Sequence, residues 1–256
     1  MKFVNKMIMV QPAHLEAEIA NKQNDGGELV KKEEKINMSK KKKGNKDGLA
    51  VSLGKQAVIL QASGRLEEAM DLRKKEQKIC EEIGNKNGLA ISLGNQANIL
   101  FDSGRLEEAM QLHKKEQKIC EELKNKDGLS TSLGNQANIL YAWGRLEEAM
   151  QLHKKEQKIC EELKNKDGLS TSLGNQANVS FASGRLEEAM ELLKKKHKIC
   201  EEMGNKDGLQ NSLGNQALIL QLLGRLEEAM ELHKKKQKIC EELGNKDGLS
   251  TSLGNQ

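Results

Sequence analysis

Apolar residues recur along most of this chain at three- and four-residue spacing, and the blocks that show this spacing themselves recur. Leu49, Leu53, Ala57 and Leu60 form one stripe at helical period. Gly64 follows, as glycine often does just past a helix C-terminus. A second stripe starts near Leu66 and continues through Ala69, Met70, Leu72, Ile79, Cys80 and Ile83. The pattern predicts a helix A over about Gly48 to Ser63 and a helix B from about Leu66. A GNKDG-type segment closes the pair, with Asp47 or its equivalent placed to cap the next helix A. Glu67 and Glu68 fall in the first turn of helix B and lysines farther along, which suits the helix dipole.

The string NKDGL, once NKNGL, begins at Asn45, Asn85, Asn125, Asn165, Asn205 and Asn245, a period of 40 without slippage. Five complete repeats follow (45–84, 85–124, 125–164, 165–204 and 205–244), with a partial sixth at 245–256. The second and third differ at only six of their 40 positions, as duplication would leave them. A helix pair of this size cannot bury its own stripe, so stability must come from stacking neighbours. The expected domain organisation is a patternless basic leader at 1–44 and a repeat array at 45–256. Within the leader, KKEEKI at 31–36 is close to the KKEQKI of a helix B, which suggests an eroded repeat. The array stops inside a sixth helix A at Gln256, which predicts that further sequence belongs beyond it.

Composition agrees with helices. Aromatics make up 2% of residues and proline occurs once, which disfavours sheets. Ala, Leu, Glu, Lys, Gln and Met dominate, all good helix formers. The leader carries ten Lys against six acidic residues, while the rest balances 32 basic with 32 acidic. A neutral, mixed body argues against a broad nucleic-acid footprint. No stretch approaches the roughly 18 apolar residues of a membrane span, and the mildly apolar start is broken by Asn5 and Lys6. The expectation is a cytoplasmic protein that binds neither nucleic acid nor membrane.

Signs of chemistry are absent from the pattern. Cys80, Cys120, Cys160, Cys200 and Cys240 occur once per repeat, a spacing foreign to zinc sites. Equivalent points on stacked helices lie about 8–10 Å apart, beyond the roughly 7 Å a disulfide spans. Each Cys follows an Ile on the apolar side of helix B and reads as a buried, reduced packing residue. His113, His153 and His233 precede a Cys by seven residues, but Arg73 and Leu193 interrupt that ladder, so no metal is expected. His197 is displaced by a turn and reads as a surface residue. GNKDGL has neither the spacing nor the Lys-Ser/Thr ending of a phosphate loop. No catalytic residue and no cofactor are assigned.

The run SLGNQANILYAWGRLEEAM, Ser132 to Met150, resembles the tetratricopeptide repeat, and more narrowly the longer variant of kinesin light chains. Ala137, Leu140, Gly144, Leu146 and Ala149 carry the likeness, which extends over residues 45–256. It implies an all-α, right-handed superhelical solenoid of stacked two-helix repeats. The chain departs from the family pattern in several places. Gln136 stands where an apolar residue is expected. Arg73, His113, His153, Leu193 and His233 replace a mid-helix aromatic. Glu76, Glu116, Glu156, Lys196 and Lys236 replace a small residue, and Glu81 and its equivalents a proline. A polar core needs partners, so Gln56, Gln96, Gln136, Gln176 and Gln216 are expected to hydrogen-bond across helices A and B.

Positions that change between repeats cluster in helix A, which lines the concave face in the family resembled. Asn95, Asn135, Asn175 and Asn215 match the asparagine with which family members hold a peptide backbone, and Lys55 replaces it in the first repeat. Asn98, Asn138 and Asn178 lie near one turn later and would extend a ladder of amides along the groove, a use suggested because mid-helix Asn is unfavourable without a reason; the alternative is that these Asn cap or bridge adjacent helices. Phe101, Tyr141 and Phe181 add apolar contact. The expected function is a non-enzymatic protein-interaction scaffold whose groove binds an extended, largely uncharged segment of a protein or peptide partner. Helix A as read from Gly48 onward lacks Lys and Arg in repeats two to five, so a bound carboxylate would go unmatched. The alternative is a regulatory or sensory arm of a larger enzyme or signalling protein.

Overall fold

The computed structural model describes residues 46–243, together with Lys31, Glu34 and Lys35. Most of the 1–44 leader and all of the partial sixth repeat lie outside the described residues. Ten helices run through the described residues, with no strand among them. They are α1 Lys46–Ala62, α2 Leu66–Glu82, α3 Lys86–Asp102, α4 Leu106–Glu122, α5 Lys126–Ala142, α6 Leu146–Leu163, α7 Lys166–Ala182, α8 Leu186–Met203, α9 Lys206–Leu222 and α10 Leu226–Leu243. Odd-numbered helices are helix A and even-numbered ones helix B, two per 40-residue repeat. The expected all-α solenoid of two-helix repeats is therefore the fold.

The chain divides into two compact units, Met1–Ile139 and Leu140–Gln256, and the division falls inside α5 rather than between repeats. In the first unit α1 packs on α2, α2 on α3 and α3 on α4, and α1 also meets α3. Gln61 Nε2 donates to Asp102 Oδ2 at 2.9 Å, tying the ends of these two A helices together. The second unit repeats the order, α6 on α7, α7 on α8, α8 on α9 and α9 on α10. Its core gathers Leu173, Ala177, Ala189, Met190, Leu193, Ala217, Ile219 and Leu220.

Helix A starts two residues earlier than its apolar pattern indicates, and its cap is asparagine rather than aspartate. Oδ1 of Asn85, Asn125, Asn165 and Asn205 accepts from the backbone N–H three residues on, at 2.8 to 3.0 Å. Asp127, Asp167 and Asp207 sit in the first turn instead. There they favour the positive end of the dipole without capping it. At the other end of α1, Gly64 has φ +73°. Its N–H donates to the Gln61 carbonyl and that of Arg65 to the Leu60 carbonyl, each at 2.9 Å, which satisfies the last turn. Lys124 and Lys164 take the same left-handed conformation after helix B, with φ 54° and 55°.

The five Cys are free and buried, as their place on helix B implies. Each of four lies under the start of the next helix A, where Cys80 Sγ would be only 2.7 Å from a Cβ added at Gly88. In the first three repeats the mid-helix B residues that depart from the family pattern are resolved into pairs. Arg73 Nη1 meets Glu76 Oε2 at 2.8 Å, and His113 and His153 Nδ1 meet Glu116 and Glu156 Oε2 at 2.8 Å, all buried. The fourth repeat carries Leu193 and Lys196 here, and burial pulls the Lys196 amine below its ordinary pKa.

The glutamines join helices A and B, but across repeats. Gln96, Gln136 and Gln176 Nε2 donate to Gln77, Gln117 and Gln157 Oε1 of the preceding helix B, each at 2.8 Å. Gln216 instead donates to Ser212 Oγ at 3.1 Å, because His197 occupies the acceptor's place. His197 is half-buried rather than on the surface, 3.4 Å from Glu201. Gln56 Nε2 is buried without a partner.

Candidate functional site

Seven asparagines occupy one edge of helix A that the packing leaves accessible. On α3, Leu93, Gln96, Ala97 and Leu100 are buried, while Asn95, Asn98 and Phe101 are half-exposed. Their spacing, three residues each, keeps them along one side of the helix. In the first compact unit the same edge of α5 presents Asn135 and Asn138, also half-exposed. In the second, α7 presents Asn175, Asn178 and Phe181, and α9 presents Asn215, all half-exposed. Tyr141 lies at the end of α5, where burial raises its phenol pKa. Phe181 also packs on the second unit's core, so part of its ring is structural.

The side-chain amides of these seven Asn make no hydrogen bond to another described residue. They neither cap nor bridge the helices. Each therefore keeps one acceptor and two N–H donors open to an outside group. The first repeat differs. Lys55 and Val58 are exposed in the places of Asn95 and Asn98. Val51 and Ile91, one turn earlier on α1 and α3, are 50% and 59% exposed and extend the edge with apolar surface. Sequence reasoning passes over these two; their spacing of four residues before Lys55 and Asn95 is the signal that finds them.

Helix A does contain cations, contrary to its reading from Gly48, because its first residue is a lysine. Lys46, Lys86, Lys166 and Lys206 Nζ lie 2.7 to 3.0 Å from Glu82, Glu122, Glu202 and Glu242 at the end of helix B of the same repeat. These lysines are nine residues before the Asn positions, about 13 Å along the axis, and are already paired. Beyond the first turn of helix A the charged residues are Lys55 and Asp102. Among the described residues no group of three or more His, Cys, Asp or Glu side chains is placed to hold a metal ion. No helix there is long and apolar enough to cross a membrane.

The family model for the MalT-like TPR region matches residues 50–243. The chain resembles BtubC (BKLC) from P. vanneervenii at TM-score 0.74 and 15% identity, over 90% of this chain and 92% of that one. It resembles the nearly identical TPR-like repeats of a putative kinesin light chain from Podospora anserina at TM-score 0.64 and 21% identity, over 75% and 95%. A signal transduction ATPase (STAND) protein with a tetratricopeptide repeat sensor, from Pyrococcus horikoshii, aligns at TM-score 0.73 and 17% identity. That match covers 82% of this chain and 32% of the other. At such identities the likeness shows the fold alone. No curated protein matches the sequence.

Proposed function

Because the chain belongs to the MalT-like TPR region family, we propose that it is a protein-interaction scaffold whose helix A edges bind an extended, largely uncharged segment of a partner. The observation that carries this reading is that the helix A edges of each compact unit present half-exposed Asn amides with no internal partner among the described residues. Asn in mid-helix is unfavourable because its side chain competes for backbone groups. A site that reads a peptide backbone gives those amides a use. Neutral hydrogen bonds contribute only about 0.5–1.5 kcal/mol each, so several must act together, helped by the partly exposed rings of Phe101, Tyr141 and Phe181. A terminal carboxylate fits poorly: the lysines of helix A are committed to glutamates, and only Lys55 lies on the edge itself.

The test begins with a displayed library of random uncharged peptides, from which binders to the full chain are selected and their affinity measured. Replacing Asn135 and Asn175 with Ala should weaken binding about 5- to 150-fold, the equivalent of roughly 1–3 kcal/mol for two lost hydrogen-bonded side chains. Melting should stay within about 0.5 kcal/mol of the parent, as for surface changes generally. Binding that survives the double substitution, or that needs a free peptide C-terminus and collapses with salt, contradicts the proposal.

The likeness to a STAND protein with a repeat sensor favours a second reading, in which the array is the sensory arm of a larger protein. The two readings share the binding edge. They part on whether occupying it changes the activity of another domain on the same polypeptide, which recovery of the longest reading frame would decide.

A further inference from the structure

Asn87 is the one asparagine of the chain that precedes a glycine. Five of the six NKDGL-type strings carry aspartate in its place, and only the second reads NKNGL. An Asn–Gly peptide is chemically labile. The nitrogen of the glycine, having lost its proton to solvent base, attacks the asparagine Cγ. The Cγ–NH2 bond breaks, ammonia leaves with a proton taken from water, and a cyclic imide remains. Water opens the imide at either carbonyl. One opening gives aspartate; the other gives an isoaspartyl link, whose main chain runs through the side chain and is one carbon longer. Glycine is the least hindered successor and therefore the fastest. Packing demands it here, since a Cβ at Gly88 would lie 2.7 Å from the buried Cys80 Sγ.

The fold holds this chemistry in check. Asn87 is exposed to water, and its side chain makes no hydrogen bond to another described residue. The attacking nitrogen is what the fold controls. Gly88 N–H donates to Asn85 Oδ1 at 2.8 Å, and the next N–H, of Leu89, to the Asn85 carbonyl at 2.9 Å. A nitrogen bound in this way keeps its proton. Asn87 also lies inside α3, where a helical ψ of about −42° holds the Gly88 nitrogen away from the Asn87 Cγ. The cap itself is steadied from α1, as Asn85 Nδ2 donates to Asp47 Oδ1 at 3.1 Å. Ring closure therefore waits until the first turn of α3 opens, and helix ends are where native proteins open most readily.

We propose that Asn87 is a latent deamidation site silenced by the Asn85 cap, and that its isoaspartyl product keeps the first turn of α3 from re-forming. The aspartyl product reproduces what later repeats already carry, for Asp127, Asp167 and Asp207 sit in the first turns of their helices. A carboxylate there suits the helix dipole, and it is a poorer electrophile than the amide. The isoaspartyl product differs. Its extra main-chain carbon displaces Gly88 and Leu89 from Asn85, so both N–H groups lose their acceptors together. Asn95 and Asn98 lie farther along the same helix, so the reaction loosens one A helix of the edge as the protein ages.

Peptide mapping of the full chain after incubation in mildly alkaline buffer tests the proposal. Asn87 should deamidate at least about tenfold faster in urea than in the native protein, where the turn must first open. Asn85→Ala should speed the native reaction roughly 2- to 30-fold, the factor that one cap is worth, and leave the rate in urea unchanged. Asn85→Ser, whose hydroxyl oxygen can accept from the Gly88 N–H, should stay near the parent. Hydrogen exchange on the separated isoaspartyl form should show lost protection in the first turn of α3, whereas Asn87→Asp should keep it. Absence of deamidation at Asn87 in urea overturns the chemistry. Equal rates in native protein and urea, or equal native rates in Asn85→Ala and the parent, overturn the gate. Unaltered protection in the isoaspartyl form overturns the consequence for α3.

Discussion

Glycine at the same place in two repeats should answer an alanine substitution with opposite sign. Gly94 in α3 and Gly214 in α9 both sit in the string SLGNQ. Helix propensity alone predicts that Ala at either site stabilises, by about 1 kcal/mol. The neighbours decide otherwise. A Cβ at Gly94 would meet the Glu116 carboxyl, with Cδ at 2.7 Å. Glu116 is buried and held by His113 at 2.8 Å, so it cannot swing away without breaking that pair. Overpacking costs about 1–3 kcal/mol, and a buried polar group left without its partner about 1–3 kcal/mol. Against the propensity gain, Gly94→Ala should lose about 1–5 kcal/mol. At Gly214 the nearest atom is Lys236 Nζ at 3.4 Å, the tip of a flexible chain. Gly214→Ala should therefore be neutral or gain up to about 1 kcal/mol. Because repeat arrays need not unfold in one step, the comparison is made by hydrogen exchange read separately in α3–α4 and α9–α10, with urea melts alongside. If Gly94→Ala proves as stable as Gly214→Ala, the buried Glu116–His113 pair does not constrain this interface and the reasoning fails.

Two further outcomes follow from the caps and the thiols. Asn165→Ala should cost about 1 kcal/mol by removing the acceptor for the Gly168 N–H, whereas Asp167→Ala should cost only the few tenths typical of a dipole contact; equal losses in urea melts would return the cap to aspartate. The five cysteines should react slowly with thiol reagents in the native protein, because all are buried and burial raises the thiol pKa of Cys80, Cys120 and Cys240. Thiolate chemistry needs the deprotonated form, so labelling should stay slow at pH 8, and rapid labelling of all five there would refute their placement.

The repeat length, the helix pairs and the burial of the cysteines were legible in the sequence, because each depends on spacing that recurs five times and leaves the same face to the same neighbour. Ala137, Leu140 and Ala149 are buried where the helical stripe puts them. Partner choice was less legible. That Asn rather than Asp caps helix A depends on where the chain turns after Lys164 or Gly204, a backbone conformation that no apolar period encodes. That Gln96 reaches Gln77 rather than its own helix B depends on how repeats stack. Glu116 and Lys236, at equivalent places, look like solvated charges by composition. Only packing puts the one into a buried pair under Gly94 and lets the other reach past Gly214. The asparagine edge was reached through the family resemblance for Asn95, Asn135, Asn175 and Asn215 and through repeat-to-repeat variation for Asn98, Asn138 and Asn178, but its freedom from hydrogen bonds to other described residues was decided by tertiary structure. Sequence spacing sets which face of a helix a side chain occupies; which atoms meet across that face is set by the distance and stagger of the neighbouring helix.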